Sequence, residues 1–195
     1  MHREIQDRRG EGRDLGDLAN TLRDSGKIQF AKENYEKALE IVREVNDRQA
    51  EANNLGGIAT ILCNLGQFAD AVSYFRQAIG ICQEIQDRRG EGNHLGNLGL
   101  AYLALENLSQ ALEIFNQAIL ISREIKDRRS EGIDLNNLCV IHLALNHIEQ
   151  AMEYYHQARL IFEELHLPNM VQWLDDNYAQ IEREMLDSNS SEPRS

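Results

Sequence analysis

One short phrase recurs along the chain at a fixed step. Asp7-Arg8-Arg9-Gly10-Glu11-Gly12 returns as Asp47-Arg48-Gln49-Ala50-Glu51-Ala52, then as Asp87-Arg88-Arg89-Gly90-Glu91-Gly92 and as Asp127-Arg128-Arg129-Ser130-Glu131-Gly132. The phrases start at 7, 47, 87 and 127, a constant step of 40 residues. A period of this size marks a stacked array: one supersecondary unit cannot bury its apolar face alone and leans on its neighbours. Such an array predicts a binding scaffold.

Each repeat reads as two helices. In the third, Leu95, Leu98 and Tyr102 fall at i, i+3 and i+7, one face of an amphipathic helix A. After a break at Leu105-Glu106-Asn107, residues Leu108, Ala111, Leu112, Phe115, Ala118, Ile119 and Ile121 carry the face of a helix B. The same junction holds glycine in the first two repeats, Gly26 and Gly66, as suits positive φ at a helix end. The Asp that opens each phrase reads as the N-cap of helix A, with Arg and Glu at i, i+3 behind it as helix-start and inter-repeat pairing. The repeats are therefore expected at 7–46, 47–86, 87–126 and 127–166.

The two ends differ from the repeats. His2-Arg3-Glu4-Ile5-Gln6 matches Cys82-Gln83-Glu84-Ile85-Gln86, so residues 1–6 read as the remnant of a preceding helix B and the chain is expected to begin inside an array. The first helix A would then present an uncapped apolar flank, a surface for self-association. Residues 167–187 read as a capping helix with Met170, Leu174, Tyr178, Ile181 and Met185 on one face and Asp175, Asp176, Gln180, Glu182 and Glu184 on a polar outer side. The polar tail 188–195 is expected to be disordered.

Composition removes several function classes. The net charge of −12, with Lys and Arg dispersed, argues against a nucleic-acid partner. No apolar run reaches the roughly 18 residues of a membrane span, and Met1-His2-Arg3-Glu4-Ile5 lacks the apolar stretch of a signal peptide. Cys63, Cys82 and Cys139 are odd in number and have no metal-ligand spacing, which places the chain in a reducing cytoplasm. The histidines form no recognised ligand motif, His142 reading as a packing residue, and Gly90-Glu91-Gly92 follows no strand that would make it a phosphate loop. No cofactor, metal or catalytic set is expected, and the chain is not read as an enzyme.

The spaced small and aromatic residues resemble the tetratricopeptide repeat across residues 7–166. The second repeat carries Ile58, Ala59, Leu62, Gly66, Phe68, Ala71, Phe75 and Ala78, and the first carries Leu18, Ala19, Leu22, Gly26, Ile28, Ala31, Tyr35 and Ala38. The fourth departs most, with Cys139, His142, Asn146 and Tyr155. The 40-residue period is similar to the long-repeat arrays of spindle-orientation adaptors and bacterial signalling proteins. The resemblance implies an all-α, right-handed α-solenoid of antiparallel helix pairs that binds a peptide on the concave face lined by the helices A.

The outward stripe of each helix A then nominates the ligand contacts. They are Arg13 and Asn20 in the first repeat, and Asn53, Thr60 and Asn64 in the second. The third supplies Asn93, Asn97, Leu100 and Leu103, and the fourth Asn136, Asn137 and Val140. Asparagine amides both donate and accept, and so can hold an extended backbone. Leu100, Leu103, Val140 and Leu143 are expected to face solvent or a hydrophobic anchor, with packing of some of them against the capping helix as the alternative. The family's carboxylate clamp has no counterpart, because Gly16, Asn53 or Asn93 and then Asn97 or Asn137 occupy its basic positions. The expected function is a protein–protein interaction scaffold for a peptide or helical segment. The alternatives are a homo-oligomeric assembly element, joined through its N-terminal edge, and a regulatory sensor arm of a larger protein.

Overall fold

The computed structural model describes the backbone of residues 2–176, 178 and 179, and the side chains of residues 7–176, 178 and 179. The described residues are helical, with no strand among them: α1 (His2–Asp24), α2 (Ile28–Glu44), α3 (Arg48–Asn64), α4 (Phe68–Glu84), α5 (Arg88–Ala104), α6 (Leu108–Glu124), α7 (Arg128–Ala144) and α8 (Ile148–Glu164). A further helical stretch covers 168–176 and 178–179; the expected continuation of the capping helix to 187 and the tail 188–195 lie outside the described residues. The chain divides into two compact units, Met1–Ile121 and Ser122–Ser195, the division falling inside α6.

The helix ends follow from the recurring phrase. Asp47, Asp87 and Asp127 each cap a helix, accepting from the backbone N–H of Ala50 at 3.3 Å, Gly90 at 3.0 Å and Ser130 at 3.1 Å. The turns inside the pairs close through a residue in the left-handed region: Gly26 (φ 75°), Gly66 (φ 74°), Glu106 (φ 56°) and Asn146 (φ 59°). The turns between pairs close the same way at Asn46, Gln86 and Lys126.

Asp7 departs from this scheme. It lies inside the continuous helix α1, where the sequence pattern predicts a cap and the end of a preceding helix. A turn before Asp7 would need positive φ at Gln6, the repeat position of Asn46 and Gln86. No turn interrupts α1 at Asp7, so this residue stands within a continuous helix rather than at its start. Asp47→Ala is therefore expected to cost about 1–2 kcal/mol, and Asp7→Ala less than about 0.5 kcal/mol. Urea midpoints of the two variants, compared side by side, check this.

Within unit 1 the pairs α1–α2 and α3–α4 pack antiparallel, and α1 lies beside α3 and α3 beside α5. Direction is fixed by ion pairs joining the start of one helix to the end of its partner. Arg8 bridges Glu11 and Glu44, each at 2.8 Å, and Arg48 bridges Glu51 and Glu84. In unit 2, Arg128 likewise bridges Glu131 at 2.5 Å and Glu164 at 2.8 Å, and Arg123 reaches the buried Glu131 at 2.7 Å. Each exposed pair contributes little alone, but the buried Glu51 and Glu131 are each held by two cations. The repeated Arg and Glu thus act as a clamp within the fold.

The core repeats with the sequence. Ala31, Ala71, Ala111 and Ala151, and the second set Ala38, Ala78, Ala118 and Ala158, are all fully buried. Tyr35, Phe75 and Phe115 fill the spaces between them. A Cβ placed at Gly57 would lie 2.3 Å from the Tyr35 ring, and one at Gly99 would lie 2.6 Å from Phe115. Both glycines are therefore packing positions, which accounts for the roughly 1 kcal/mol that each costs inside a helix.

The fourth repeat corrects two expectations. Leu143 does not face solvent or a ligand: it is buried with Cys139 and Ala151, beneath Tyr154, Tyr155 and Tyr178. Asp175 is not on a solvated outer side, because its carboxylate accepts from the Tyr155 hydroxyl at 2.7 Å and from Arg159 Nε at 3.2 Å. Leu143 is thus covered by Ala151, Tyr154 and Tyr155 of α8 together with Tyr178, and Asp175 is drawn to Tyr155 and Arg159 of the same helix. His142 is half-buried against the rings of His147 and Tyr154, at centroid separations of 5.6 Å and 5.2 Å.

Candidate functional site

Three first helices lying side by side in unit 1 enclose a cleft of about 530 Å³. Helix α1 lines it with Arg13, Gly16, Asp17, Asn20 and Arg23; α3 with Gln49, Ala50, Asn53, Asn54, Gly56, Gly57 and Thr60; α5 with Asn93, His94 and Asn97. The volume lies within the roughly 300–1,000 Å³ range of ligand sites.

The structure brings together six of the residues that the sequence pattern nominates: Arg13, Asn20, Asn53, Thr60, Asn93 and Asn97. Their freedom to meet a ligand differs. Asn53, Asn93 and Asn97 are exposed and make no side-chain hydrogen bond among the described residues. Asn20 Oδ1 already accepts from the Tyr35 hydroxyl at 2.6 Å, which leaves its NH₂ group to donate. Thr60 returns its hydroxyl proton to the Gly56 carbonyl at 2.9 Å. Arg13 is held by Asp47 at 2.8 Å, and Arg23 by Asp24 at 3.0 Å and the Tyr35 oxygen at 3.2 Å.

Asn64, Leu100 and Leu103 do not line the cleft: Asn64 and Leu100 are exposed and Leu103 is half-buried. In unit 2, Asn137 and Val140 are half-buried on α7, whereas Asn136 is only 5% exposed. Asn136 occupies the repeat position of Gly16, Gly56 and Gly96 and, unlike them, carries a side chain there, which is buried.

Gln49, Asn54 and His94 line the cleft and escape the stripe pattern. Asn54 and His94 sit beside buried leucines, where an apolar residue is the rule, and each lies on a glycine of the preceding first helix. A Cβ at Gly16 would be 2.5 Å from Asn54 Oδ1, and one at Gly56 would be 2.3 Å from His94 Cε1. The glycine and the polar residue 38 positions later are the sequence signal for this rung.

Two titratable groups shape the electrostatics. Burial opposes the charged form of Asp47, but bonds from Arg13 and the Ala50 N–H outweigh it and hold the carboxyl below its ordinary range. Burial depresses His94 below the ordinary imidazole value, while the Asp87 carboxylate opposes this in part. Its Nε2 is buried without a hydrogen-bond partner.

Solved structures share this architecture. Aspartyl phosphate phosphatase F from Bacillus subtilis aligns with a TM-score of 0.81 at 20% identity over 93% of this chain and 51% of its own. The Rap conjugation gene regulator of plasmid pLS20, in complex with a Phr peptide, aligns at 0.76, with 16% identity over 90% of this chain and 48% of its own. A signal transduction ATPase with numerous domains and a tetratricopeptide repeat sensor, from Pyrococcus horikoshii, aligns at 0.79, with 18% identity over 94% of this chain and 31% of its own. Likeness at these identities shows the fold, and the chain spans about half the length of the first of these proteins. Among curated proteins none matches the chain. The tetratricopeptide repeat model matches residues 14–84 and 90–164, so with its all-α stack of helix pairs the chain belongs to the tetratricopeptide repeat family.

Proposed function

We propose that the unit 1 cleft binds an extended peptide segment of a protein partner, and that the chain serves as a cytoplasmic interaction scaffold without catalysis of its own. The observation that carries this reading is the set of unengaged amides, Asn53, Asn93 and Asn97, around a cleft of ligand size. A peptide backbone offers alternating donors and acceptors, and an asparagine amide can match both. The Rap regulator bound to a Phr peptide, similar in fold, supports the same role here. The unbridged thiols of Cys63, Cys82 and Cys139 support a reducing compartment.

Asn53→Ala combined with Asn97→Ala is expected to weaken peptide affinity about 10-fold or more, from two lost hydrogen bonds of about 0.5–1.5 kcal/mol each, with helicity intact. Peptide capture followed by titration tests it; unaltered affinity removes the cleft from the reading. Asn137→Ala, made separately, asks whether α7 of unit 2 also contributes.

A second reading, self-association, is favoured by Leu18, which is 48% exposed although its repeat equivalents Ile58, Leu98 and Leu138 are buried. A mass in solution that stays monomeric as concentration rises counts against it. The sensor-bearing ATPase similar in fold supports a sensor-arm role in the same way.

A further inference from the structure

One amide on the cleft wall has its polarity fixed by a residue behind it. Tyr35 of α2 is 1% exposed; its oxygen accepts from Arg23 Nη1 at 3.2 Å, and its hydroxyl donates to Asn20 Oδ1 at 2.6 Å. A buried hydroxyl must give its proton to an acceptor, and with Arg23 donating to it, Asn20 Oδ1 takes that proton. Burial, helped by the Asp24 and Asp17 carboxylates and opposed by Arg23, raises the Tyr35 pKa above its ordinary value, so the proton stays in place near neutral pH. The Asn20 oxygen is thus turned toward the buried ring. The residue itself is exposed and lines the cleft, and its NH₂ group makes no hydrogen bond among the described residues.

The repeats of unit 1 bear on this pairing. Phe75 and Phe115 hold the Tyr35 position in the next two repeats, where Thr60 and Leu100 replace Asn20. The hydroxyl is present where there is an amide to orient. Thr60, on the neighbouring helix α3, has the opposite polarity: its proton goes to the Gly56 carbonyl at 2.9 Å, which leaves the half-buried oxygen to accept. Asn53, Asn93 and Asn97 have no such neighbour and can turn either branch of the amide to a ligand. At the level of Asn20 and Thr60 the cleft therefore offers a donor from α1 and an acceptor from α3. A carboxylate would match the first and oppose the second, and an ammonium would do the reverse. The C=O and N–H of a trans peptide unit point in opposite directions, so one unit lying between the two helices can serve both.

We propose that Asn20 and Thr60 are a specificity-determining pair that takes a main-chain peptide unit of the ligand, its C=O on Asn20 Nδ2 and its N–H on Thr60 Oγ1, with Tyr35 as the positioning residue that holds the Asn20 amide in the donating sense. This rests on the peptide-binding reading above.

The probe is the tightest binder from a randomised library of N-acetylated, C-amidated hexapeptides of uncharged residues, so that no ligand charge enters the comparison. Wild type, Asn20→Ala, Asn20→Asp, Thr60→Val, Tyr35→Phe and the double variant Tyr35→Phe with Asn20→Ala are titrated with it near neutral pH, circular dichroism confirming that each is folded. Asn20→Ala and Thr60→Val are each expected to weaken binding about 5-fold. Asn20→Asp keeps the shape but only accepts, and is expected to bind about 10-fold more weakly than Asn20→Ala. Tyr35→Phe is expected to weaken binding about 3-fold in the wild-type background and not at all in the Asn20→Ala background, because it acts through that amide alone. Phe75 and Phe115 at the equivalent positions show that the fold accepts the ring without its hydroxyl. Affinity of Asn20→Asp equal to or above that of Asn20→Ala would mean that Asn20 presents its oxygen, and overturns the assignment. A Tyr35→Phe loss that persists in the Asn20→Ala background overturns the positioning role. If the Asn20 and Thr60 variants bind as wild type does while Asn53→Ala with Asn97→Ala does not, the pair falls and the peptide-binding reading stands. If no peptide in the library binds wild type, both fall.

Discussion

Ala111→Glu is expected to abolish the cooperative helical melt of unit 1. Ala111 is fully buried on α6, in register with Ala31 and Ala71, where the methyl group just fills the space between paired helices. A glutamate there must bury a carboxylate without a cation, at about 3–5 kcal/mol, and must also displace neighbours, at about 1–3 kcal/mol. Together these approach the whole stability of a domain, about 5–15 kcal/mol. Stacked repeats share stability through nearest-neighbour interfaces, so the damage spreads from α6 to the α5 face it covers through Gly99 and Phe115. Leu120→Glu is the control: it lies on the same helix but is 66% exposed, and its urea midpoint is expected to shift by less than about 0.5 kcal/mol. A wild-type urea midpoint for Ala111→Glu, read by far-ultraviolet circular dichroism, would place Ala111 outside the core and refute the alignment of the third repeat.

Local rules made most of the helices legible. An Asp that caps, a glycine that accepts positive φ and an alanine that recurs on one face act over a few residues, and the period repeats each signal. Asp7 has the same local signal as Asp47 yet lies within the continuous helix α1. Asp175 departs from its expected outer side for a related reason: its partners Tyr155 and Arg159 lie on α8, and no spacing within its own helix reveals them. The cleft was half legible. The stripe of α1, α3 and α5 follows from helical geometry, and with it Asn53, Asn93 and Asn97. Asn54 and His94 reach the same cleft by lying across the glycine of a neighbouring helix 38 residues earlier, a relation of stacking rather than of helical face. Asn136 shows the converse: it lies on the nominated stripe, but with a side chain where the other three repeats have glycine, and it is buried.

The repeat position of Asn54 and His94 carries an acid in the fourth repeat. Asp134 occupies their repeat position on α7 and is 5% exposed, and burial, with a smaller contribution from the Asp127 carboxylate, pushes its carboxyl up to about 7. The native state therefore keeps a proton that the unfolded chain, with a carboxyl near the ordinary value of about 3.9, gives up. The sign follows. Below the unfolded value both states are protonated and the group is neutral in effect; as pH rises toward the folded value, stability is lost at about 1.4 kcal/mol per pH unit, and above it the loss levels off. Asp134→Asn removes this dependence, and the packing tolerates Asn, since Asn54 is buried at the equivalent position of the second repeat. The variant is expected to match wild type near pH 4 and to exceed it by about 2–4 kcal/mol at pH 8, where full retention of the shift would give the upper figure. Asp47 and Asp87 act in the opposite sense, their depressed values withdrawing stability in acid, so the comparison must be the difference between variant and wild type at each pH. Chemical denaturation across that range reads it directly. A difference that stays constant with pH would mean that Asp134 is ionised in the folded protein, with a counter-charge or solvent close enough to cancel the cost of burial.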